Sequence, residues 1–165
     1  MPRNNNNLTI GGRDPRTNRY FTYYETIAGG FGARYNKNGI DGIHSHLTNT
    51  LNTPIEALEI AYPLRVRRYE FRQESGGHGK FRGGAGVSKE FELIADDSTV
   101  SVMGDRQTRG PYGLFGGKSG RPGEYSITRR SGRPERLPSK CSVRVGRGDV
   151  LAISTPGGGG YSPAF

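Results

Sequence analysis

Short runs of alternating apolar and polar residues occupy much of the second half of the chain. A period of two is typical of a β-strand with one buried face, because successive side chains point to opposite sides. Each run is bounded by Gly, Pro, Asp or Ser, which favour turns. The runs lie at 86–96, 98–105, 124–130, 140–148 and 149–156. This spacing predicts a mainly β fold, either an antiparallel sandwich or a barrel-like domain.

Two more strands are predicted closer to the amino terminus. The aromatic run 20–35 alternates in part and then breaks at glycines 29–32, which predicts a strand running into a loop. The segment 62–73 alternates as far as Val66 and resumes in a shifted register at Tyr69. This shift predicts a β-bulge, or a strand that is partly buried on both faces.

One short helix is predicted near 53–62. Thr53 is suited to capping the helix and Pro54 to its first turn, and Pro63 should end it. The apolar residues at helical spacing are Ile55, Leu58 and Ala61. Residues 1–18, which include four consecutive asparagines, are predicted to be a flexible or externally packed lead-in with almost no core. Residues 19–165 are then predicted to form a single β-rich domain.

The composition narrows the classes of protein that this chain can belong to. Only 32% of its residues are hydrophobic, whereas 27 of 165 are glycine, which argues against a helical bundle. No stretch approaches the roughly 18 apolar residues of a membrane span, and the amino terminus lacks the apolar core of a signal peptide. We therefore expect a cytoplasmic protein without membrane contact. The single cysteine, Cys141, cannot form an internal disulfide, and its position favours a partly buried residue on a strand.

A net charge of +9 raises the question of nucleic-acid binding. The arginines, however, are spread along the chain, with local concentrations only at 65–72 and 129–133. We expect a solvated or partner-facing basic surface, and nucleic-acid binding is the less favoured interpretation.

Glycine clusters at 75–86, 113–123 and 155–161 have the composition of phosphate-binding loops but not their spacing. Lys118 and Ser119, for instance, lead into GRPG, which cannot open a helix. Tight turns or close backbone contacts are the favoured explanation. The four consecutive glycines at 157–160 predict close contact with another subunit or with the active-site region.

The segment DGIHSHLTNTLNTP (41–54) contains the strongest candidates for chemistry. His44 and His46 would share a face if the backbone were extended, and Thr and Asn side chains follow them. Three roles are open for these histidines: a metal ligand, a pocket-lining hydrogen-bonding group, or a satisfied, partly buried side chain. Asp41 lies nearby, but one segment is a poor source of a complete ligand set. We therefore predict no metal site in this chain.

The segments DGIHSHLTNTLNTPIE, SGGHGKFRGGAG and TPGGGGY, in this order and spacing, closely resemble the carboxy-terminal part of the hydantoinase B/oxoprolinase family. The resemblance covers roughly residues 8–163 and includes N-methylhydantoinase B and the related subunits of acetone and acetophenone carboxylases. It implies a part of an ATP-dependent hydrolase that acts on the C–N bonds of cyclic amides such as hydantoins and 5-oxoproline. A component of an ATP-dependent ketone carboxylase is the alternative on the same scaffold, and a non-catalytic basic binding module is a second alternative.

The same resemblance implies partners and cofactors outside this chain. Family members are much longer, so the expected partners are a hydantoinase A-like subunit and the amino-terminal part of the B component. ATP and Mg²⁺ are expected on the partner, and a divalent metal in the missing amino-terminal portion. We expect no cofactor on this chain and no catalysis by it alone. In this interpretation His44 and His46 are the candidates for catalysis, and Asn49 and Asn52 for binding a small-molecule substrate. Arg106, an isolated cation that could neutralise a phosphate or carboxylate, is a further candidate for substrate binding.

Overall fold

The computed structural model describes residues 5–44, 48 and 50–164. Within these residues the chain forms nine strands and one helix. In chain order they are β1 (Asn6–Arg13), β2 (Tyr20–Thr26), α1 (Ile55–Ala61), β3 (Leu64–Phe71), β4 (Val87–Leu93), β5 (Ser98–Gly104), β6 (Glu124–Thr128), β7 (Pro134–Leu137), β8 (Lys140–Val145) and β9 (Val150–Ser154).

The strands form two open antiparallel sheets that pack face to face. One sheet has four strands in the order β2-β1-β5-β8, and the other has five in the order β3-β4-β9-β6-β7. Every pair is antiparallel. The prediction of a mainly β fold with one short helix is confirmed, and of its two forms the structure adopts the sandwich rather than a closed barrel.

The inward residues of both sheets build one hydrophobic core. Along β4 and β5 buried residues alternate with more exposed ones, as the period-two pattern predicts. The fully buried aliphatic and aromatic side chains include Leu8, Ile10, Phe91, Leu93, Val100, Ile127 and Leu151. Each such side chain contributes about 1.5–3 kcal/mol when it is removed from water. The core therefore holds the sheets together despite the low apolar content.

The prediction that residues 1–18 form a lead-in without core is wrong over Asn6–Arg13. This segment is β1, which lies between β2 and β5 and pairs with both. Leu8 and Ile10 are completely buried. Two apolar residues suffice because a strand flanked on both sides satisfies its backbone in the sheet and presents only alternate side chains to the core.

The helix and the bulge agree with the sequence pattern, except for the cap. The helix ends before Pro63, as predicted, but it begins after Pro54, and no side chain caps it. The cap predicted for Thr53 is therefore wrong. The register of β3 against β4 shifts between Val66 and Arg68, which confirms the predicted bulge.

Glycine clusters from distant parts of the chain pack together in a second buried region, where the contacts are between backbone atoms and not between side chains. Residues 155–160 are all buried. A Cβ placed on Gly157 would lie 2.0 Å from the carbonyl oxygen of Ser75, and one on Gly159 would lie 2.0 Å from that of Tyr112. Close backbone contact, the favoured explanation of the glycine clusters, is confirmed here, and the groups that these glycines meet belong to the same chain. Contact of 157–160 with another subunit or with the active-site region stays a prediction.

Two further sequence predictions concern single features. Cys141 is half-buried on β8, as expected, and burial raises the pKa of its thiol. In the described part of the chain, no helix combines the length and the apolar character of a membrane crossing.

Candidate functional site

Residues 41–43 are held against the glycine loops, and Asn52 lies beside the end of β2. The backbone N–H of Ile43 donates a hydrogen bond of 3.0 Å to the carbonyl oxygen of Gly29, which fixes the chain just before His44. His44 itself is half-buried. His46 and Asn49 lie outside the described residues, so the shared face predicted for the two histidines stays a prediction.

His44 is joined to Asn52 by a hydrogen bond. Its Nε2 atom lies 3.1 Å from Oδ1 of Asn52. The amide nitrogen of Asn52 in turn donates to the carboxylate of Glu25, and it lies 3.4 Å from the carbonyl oxygen of Thr26. Both polar atoms of the Asn52 side chain are thus used within the chain, and the histidine is tied to the end of β2.

The far end of this connection is an ion pair buried between the sheets. Nζ of Lys89 on β4 lies 2.8 and 2.9 Å from the two carboxylate oxygens of Glu25 on β2. The Lys89 side chain is 0% exposed and that of Glu25 is 6% exposed. A buried charge is costly unless it is paired and hydrogen-bonded, and here each charge is the partner of the other.

Aromatic rings enclose the Lys89 ammonium group. Nζ lies 4.8 Å from the ring centre of Tyr69 and 5.0 Å from that of Phe91, which is within the range of cation–π attraction. Burial, together with the nearby charge of Glu25, raises the pKa of Tyr23 and of Tyr69. Both phenols therefore remain neutral around the ion pair at physiological pH.

A cavity opens beside this cluster, along β3 and the segment that follows it. Its volume is about 550 Å³. Its lining residues are Gly42, Tyr69, Glu70, Phe71, Gln73 and Val87. Tyr69 thus contacts both the cavity and the Lys89 ammonium group, and Gly42 brings the histidine segment to its rim. The size suits a small ligand.

Arg106 is placed elsewhere, and the carboxylate of Asp41 is engaged within the chain. Arg106 lines a separate cavity of about 370 Å³ that shares no lining residue with the first, and its guanidinium carbon lies 5.8 Å from the ring centre of Tyr112. Asp41, a possible metal ligand by its position in the sequence, accepts hydrogen bonds from Arg82 at 3.1 and 3.3 Å and from the N–H of Ala85. Its carboxylate is therefore used to hold the glycine loops.

Sequence reasoning missed Glu25 and Lys89, although a signal for them exists. In β4 the inward positions are Val87, Lys89, Phe91 and Leu93, so a lysine occupies the apolar register of an alternating strand. Glu25 occupies the inward register of β2 together with Tyr23. A charged residue at such a position requires a partner in the interior.

Comparison with known proteins places the chain in a family. The model of the hydantoinase B/oxoprolinase family matches residues 2–164. A 5-oxoprolinase of Dictyostelium discoideum is 40% identical over 156 residues, which are 94% of this chain and 12% of that protein. The B component of a putative D-/L-hydantoinase from a Pseudomonas species is 39% identical over 144 residues, which are 86% of this chain and 24% of that protein.

Two solved structures share the fold. The ATP-dependent caprolactamase of Pseudomonas jessenii superposes with a TM-score of 0.77 and 27% identity, over 94% of this chain and 28% of its own. A nucleotide-free acetone carboxylase superposes with a TM-score of 0.78 and 19% identity, over 95% of this chain and 25% of its own. The chain thus spans less than a third of the length of each of these relatives. The resemblance seen in the sequence is confirmed: the chain belongs to the hydantoinase B/oxoprolinase family.

Proposed function

We propose that the chain is the carboxy-terminal domain of the B component of an ATP-dependent hydrolase acting on cyclic amides, and that it supplies His44 to the active site. The names of the 5-oxoprolinase, the hydantoinase component and the caprolactamase among its relatives all denote proteins that act on an amide within a ring. The observation that carries the proposal is the hydrogen-bonded connection from His44 through Asn52 to the buried Glu25. It provides a half-exposed imidazole with a fixed position.

The chemistry of the substrate explains why such a histidine is useful. A ring amide is a poor electrophile because of its resonance, and phosphorylation of its oxygen creates a leaving group for attack by water. A hydantoinase A-like partner with ATP and Mg²⁺ would carry out the phosphorylation. A positioned imidazole can then orient the water or accept its proton, which contributes typically 10²–10⁴-fold in rate.

The remaining predicted site residues have different roles in this proposal. Asn52 uses both polar atoms of its side chain on the protein itself, so we assign it to the positioning of His44. His46 and Asn49 stay predictions for substrate contact. Arg106, in its separate cavity, could act on substrate only through surfaces added by the partners.

A reconstituted complex tests the proposal. The chain is coexpressed with a hydantoinase A-like subunit and the amino-terminal part of the B component, and ring opening of 5-oxoproline, hydantoin and caprolactam is measured with and without ATP. The His44→Gln variant should lose at least about 100-fold in turnover. His78→Gln changes another histidine, which is exposed in a glycine loop, and should retain the wild-type rate. Wild-type turnover by an assembled His44→Gln complex would refute the role of His44.

The same preparation separates the rival functions. ATP- and bicarbonate-dependent product from a ketone, without ring opening, would indicate the carboxylase. Salt-dependent retention of the chain on DNA would indicate a basic binding module. The structure gives less support to a nucleic-acid-binding module. Arg65 and Arg67 on β3 lie 3.9 and 3.8 Å from the carboxylate of Glu92, so part of their positive charge is balanced within the chain.

A further inference from the structure

We propose that the buried Lys89–Glu25 ion pair is a positioning device, which acts through Asn52 to hold His44 as the tautomer protonated on Nε2. The Nδ1 atom is then the nitrogen that carries a lone pair. The tautomer is a property of this chain alone. A role of Nδ1 toward a substrate or a water, by contrast, rests on the function proposed above.

The neighbours of the Asn52 amide fix its orientation. Its nitrogen points at two groups that only accept hydrogen bonds, the Glu25 carboxylate and the carbonyl oxygen of Thr26. If the amide were turned over, its oxygen would face both acceptors. The two acceptors therefore select the orientation in which Oδ1 of Asn52 faces His44.

The orientation of Asn52 in turn decides the protonation of His44. Oδ1 of Asn52 can only accept, and it lies 3.1 Å from Nε2 of His44. Nε2 must then carry the proton, and in the neutral imidazole Nδ1 is left without one. A hydrogen bond to one ring nitrogen thus decides the role of the other.

Lys89 is the reason why Glu25 stays an acceptor. A carboxylate with a side chain only 6% exposed would be unfavourable without a nearby cation, and Lys89 provides it at 2.8 and 2.9 Å. The pair joins β2 of one sheet to β4 of the other. A buried ion pair adds little to stability compared with apolar side chains of similar volume, so the ordering of Asn52 and His44 gives this pair a use that packing would not.

NMR spectroscopy of the complete chain with ¹⁵N-labelled histidine tests the tautomer directly. Spectra are recorded at about pH 8.5, above the ordinary imidazole pKa of about 6.5. Long-range proton–nitrogen correlations report which ring nitrogen is protonated, and the signals lost in His44→Gln identify His44. The same sample in denaturant provides the unbiased mixture of tautomers. We expect a single Nε2-protonated form in the native chain. The Nδ1-protonated form, or the mixture seen in denaturant, would overturn the proposal.

Two variants test the connection. Asn52→Leu cuts the link and leaves the ion pair intact, and Lys89→Met removes the counter-charge and keeps the length of the side chain. Both should shift the His44 spectrum toward the mixture of tautomers seen in denaturant. A folded chain carrying either variant that keeps the wild-type tautomer would overturn the proposal. If Lys89→Met does not fold, the double variant Glu25→Gln/Lys89→Met takes its place, because it removes both charges and leaves neither buried without a partner.

Turnover in the reconstituted complex separates this proposal from the function on which it rests. Asn52→Leu should lower turnover by about 10- to 100-fold, because a catalytic group displaced by about 1 Å can cost on the order of a hundredfold in rate. If the spectra confirm the tautomer but the His44→Gln complex turns over at the wild-type rate, His44 is positioned and not used, and the proposed function fails by itself. If turnover falls while the spectra are unchanged, the positioning proposal fails and the function stands.

Discussion

Gly83 and Gly158 touch through their backbones: a Cβ atom on Gly83 would lie 2.0 Å from the carbonyl oxygen of Gly158. The two residues belong to different glycine clusters of the sequence. Backbone hydrogen bonds accompany the contact, since the N–H of Gly158 donates to the carbonyl oxygen of Gly84 at 2.8 Å and the N–H of Gly77 donates to that of Gly158 at 2.8 Å. The clusters serve to let several backbone segments meet without side chains between them.

The close backbone packing around Gly158 predicts that Gly158→Ala is strongly destabilising. The new methyl group would lie 2.2 Å from the carbonyl oxygen of Phe31, so backbone has to move. We expect the free energy of unfolding to fall by about 3 kcal/mol or more, or the chain not to fold. Gly32→Ala is the control, because its nearest neighbouring atom is 3.7 Å away, and it should stay within about 1 kcal/mol of wild type. Equal urea unfolding curves for Gly158→Ala and wild type would contradict the prediction.

A second prediction concerns the hydrogen bond that joins the sheets through Tyr125. Its hydroxyl group donates to Oδ1 of Asn6 at 3.0 Å, and burial raises the pKa of this phenol, so it remains a donor at neutral pH. Tyr125→Phe should lower the free energy of unfolding by about 1–3 kcal/mol, because Asn6 is left with an unpaired acceptor in the interior. Tyr20→Phe, at a residue that is 87% exposed, should change it little. Urea denaturation of both variants makes the comparison.

A third prediction concerns the dependence of stability on pH. Burial of Asp149 favours its protonated form, but hydrogen bonds from Gly146, Arg129 and Arg130 outweigh this effect and hold the pKa of its carboxyl group below the ordinary value. Its contribution to stability is fully present above the unfolded-state pKa of about 3.9 and is lost as the pH falls through the lower folded-state pKa. Stability from this residue is therefore lost on acidification.

Asp149→Asn should accordingly cost about 1–3 kcal/mol at pH 7 and distinctly less near pH 2.5. The measurement is urea unfolding of both chains at the two pH values. Asp96→Asn is the control, because Asp96 pairs with Arg147 at the surface, where an ion pair is worth about 0–1 kcal/mol. A cost of Asp149→Asn that did not change with pH would contradict the assignment.

A fourth prediction is that the purified chain holds no transition metal in stoichiometric amount. Asp41 and His44 come from one segment, and the carboxylate of Asp41 is already held by Arg82 and the N–H of Ala85. Elemental analysis after dialysis against buffer without chelator tests this. About one tightly bound metal per chain would show that residues 41–46 provide a site after all.

Local patterns in the sequence predicted the elements whose physical basis is local. The alternation in 86–96 predicted β4, the shifted register in 62–73 predicted the bulge in β3, and Pro63 predicted the end of α1. Each of these depends on residues within a few positions of one another. The element β7 was missed because three of its four residues are exposed, so its position at the sheet edge requires no apolar alternation.

The motifs also determined the family and pointed to His44 and Asn52, but not to what holds them. The alternation of β4 is visible in the sequence, whereas the partner of Lys89 is a residue 64 positions away in the other sheet. The assignment of residues 1–18 failed for a similar reason, because the central place of β1 depends on its pairing with β5.

By itself the sequence determined the class of fold, most of the strands, the helix and the family, because these follow from local periodicity and from motifs. Only the tertiary structure decided which sheet each strand joins, which glycines meet, and that the Glu25–Lys89 pair supports the histidine segment. The physical reason is that a buried charge or a buried backbone N–H or C=O group is stable only with its partner, and those partners are brought together by the packing of the two sheets.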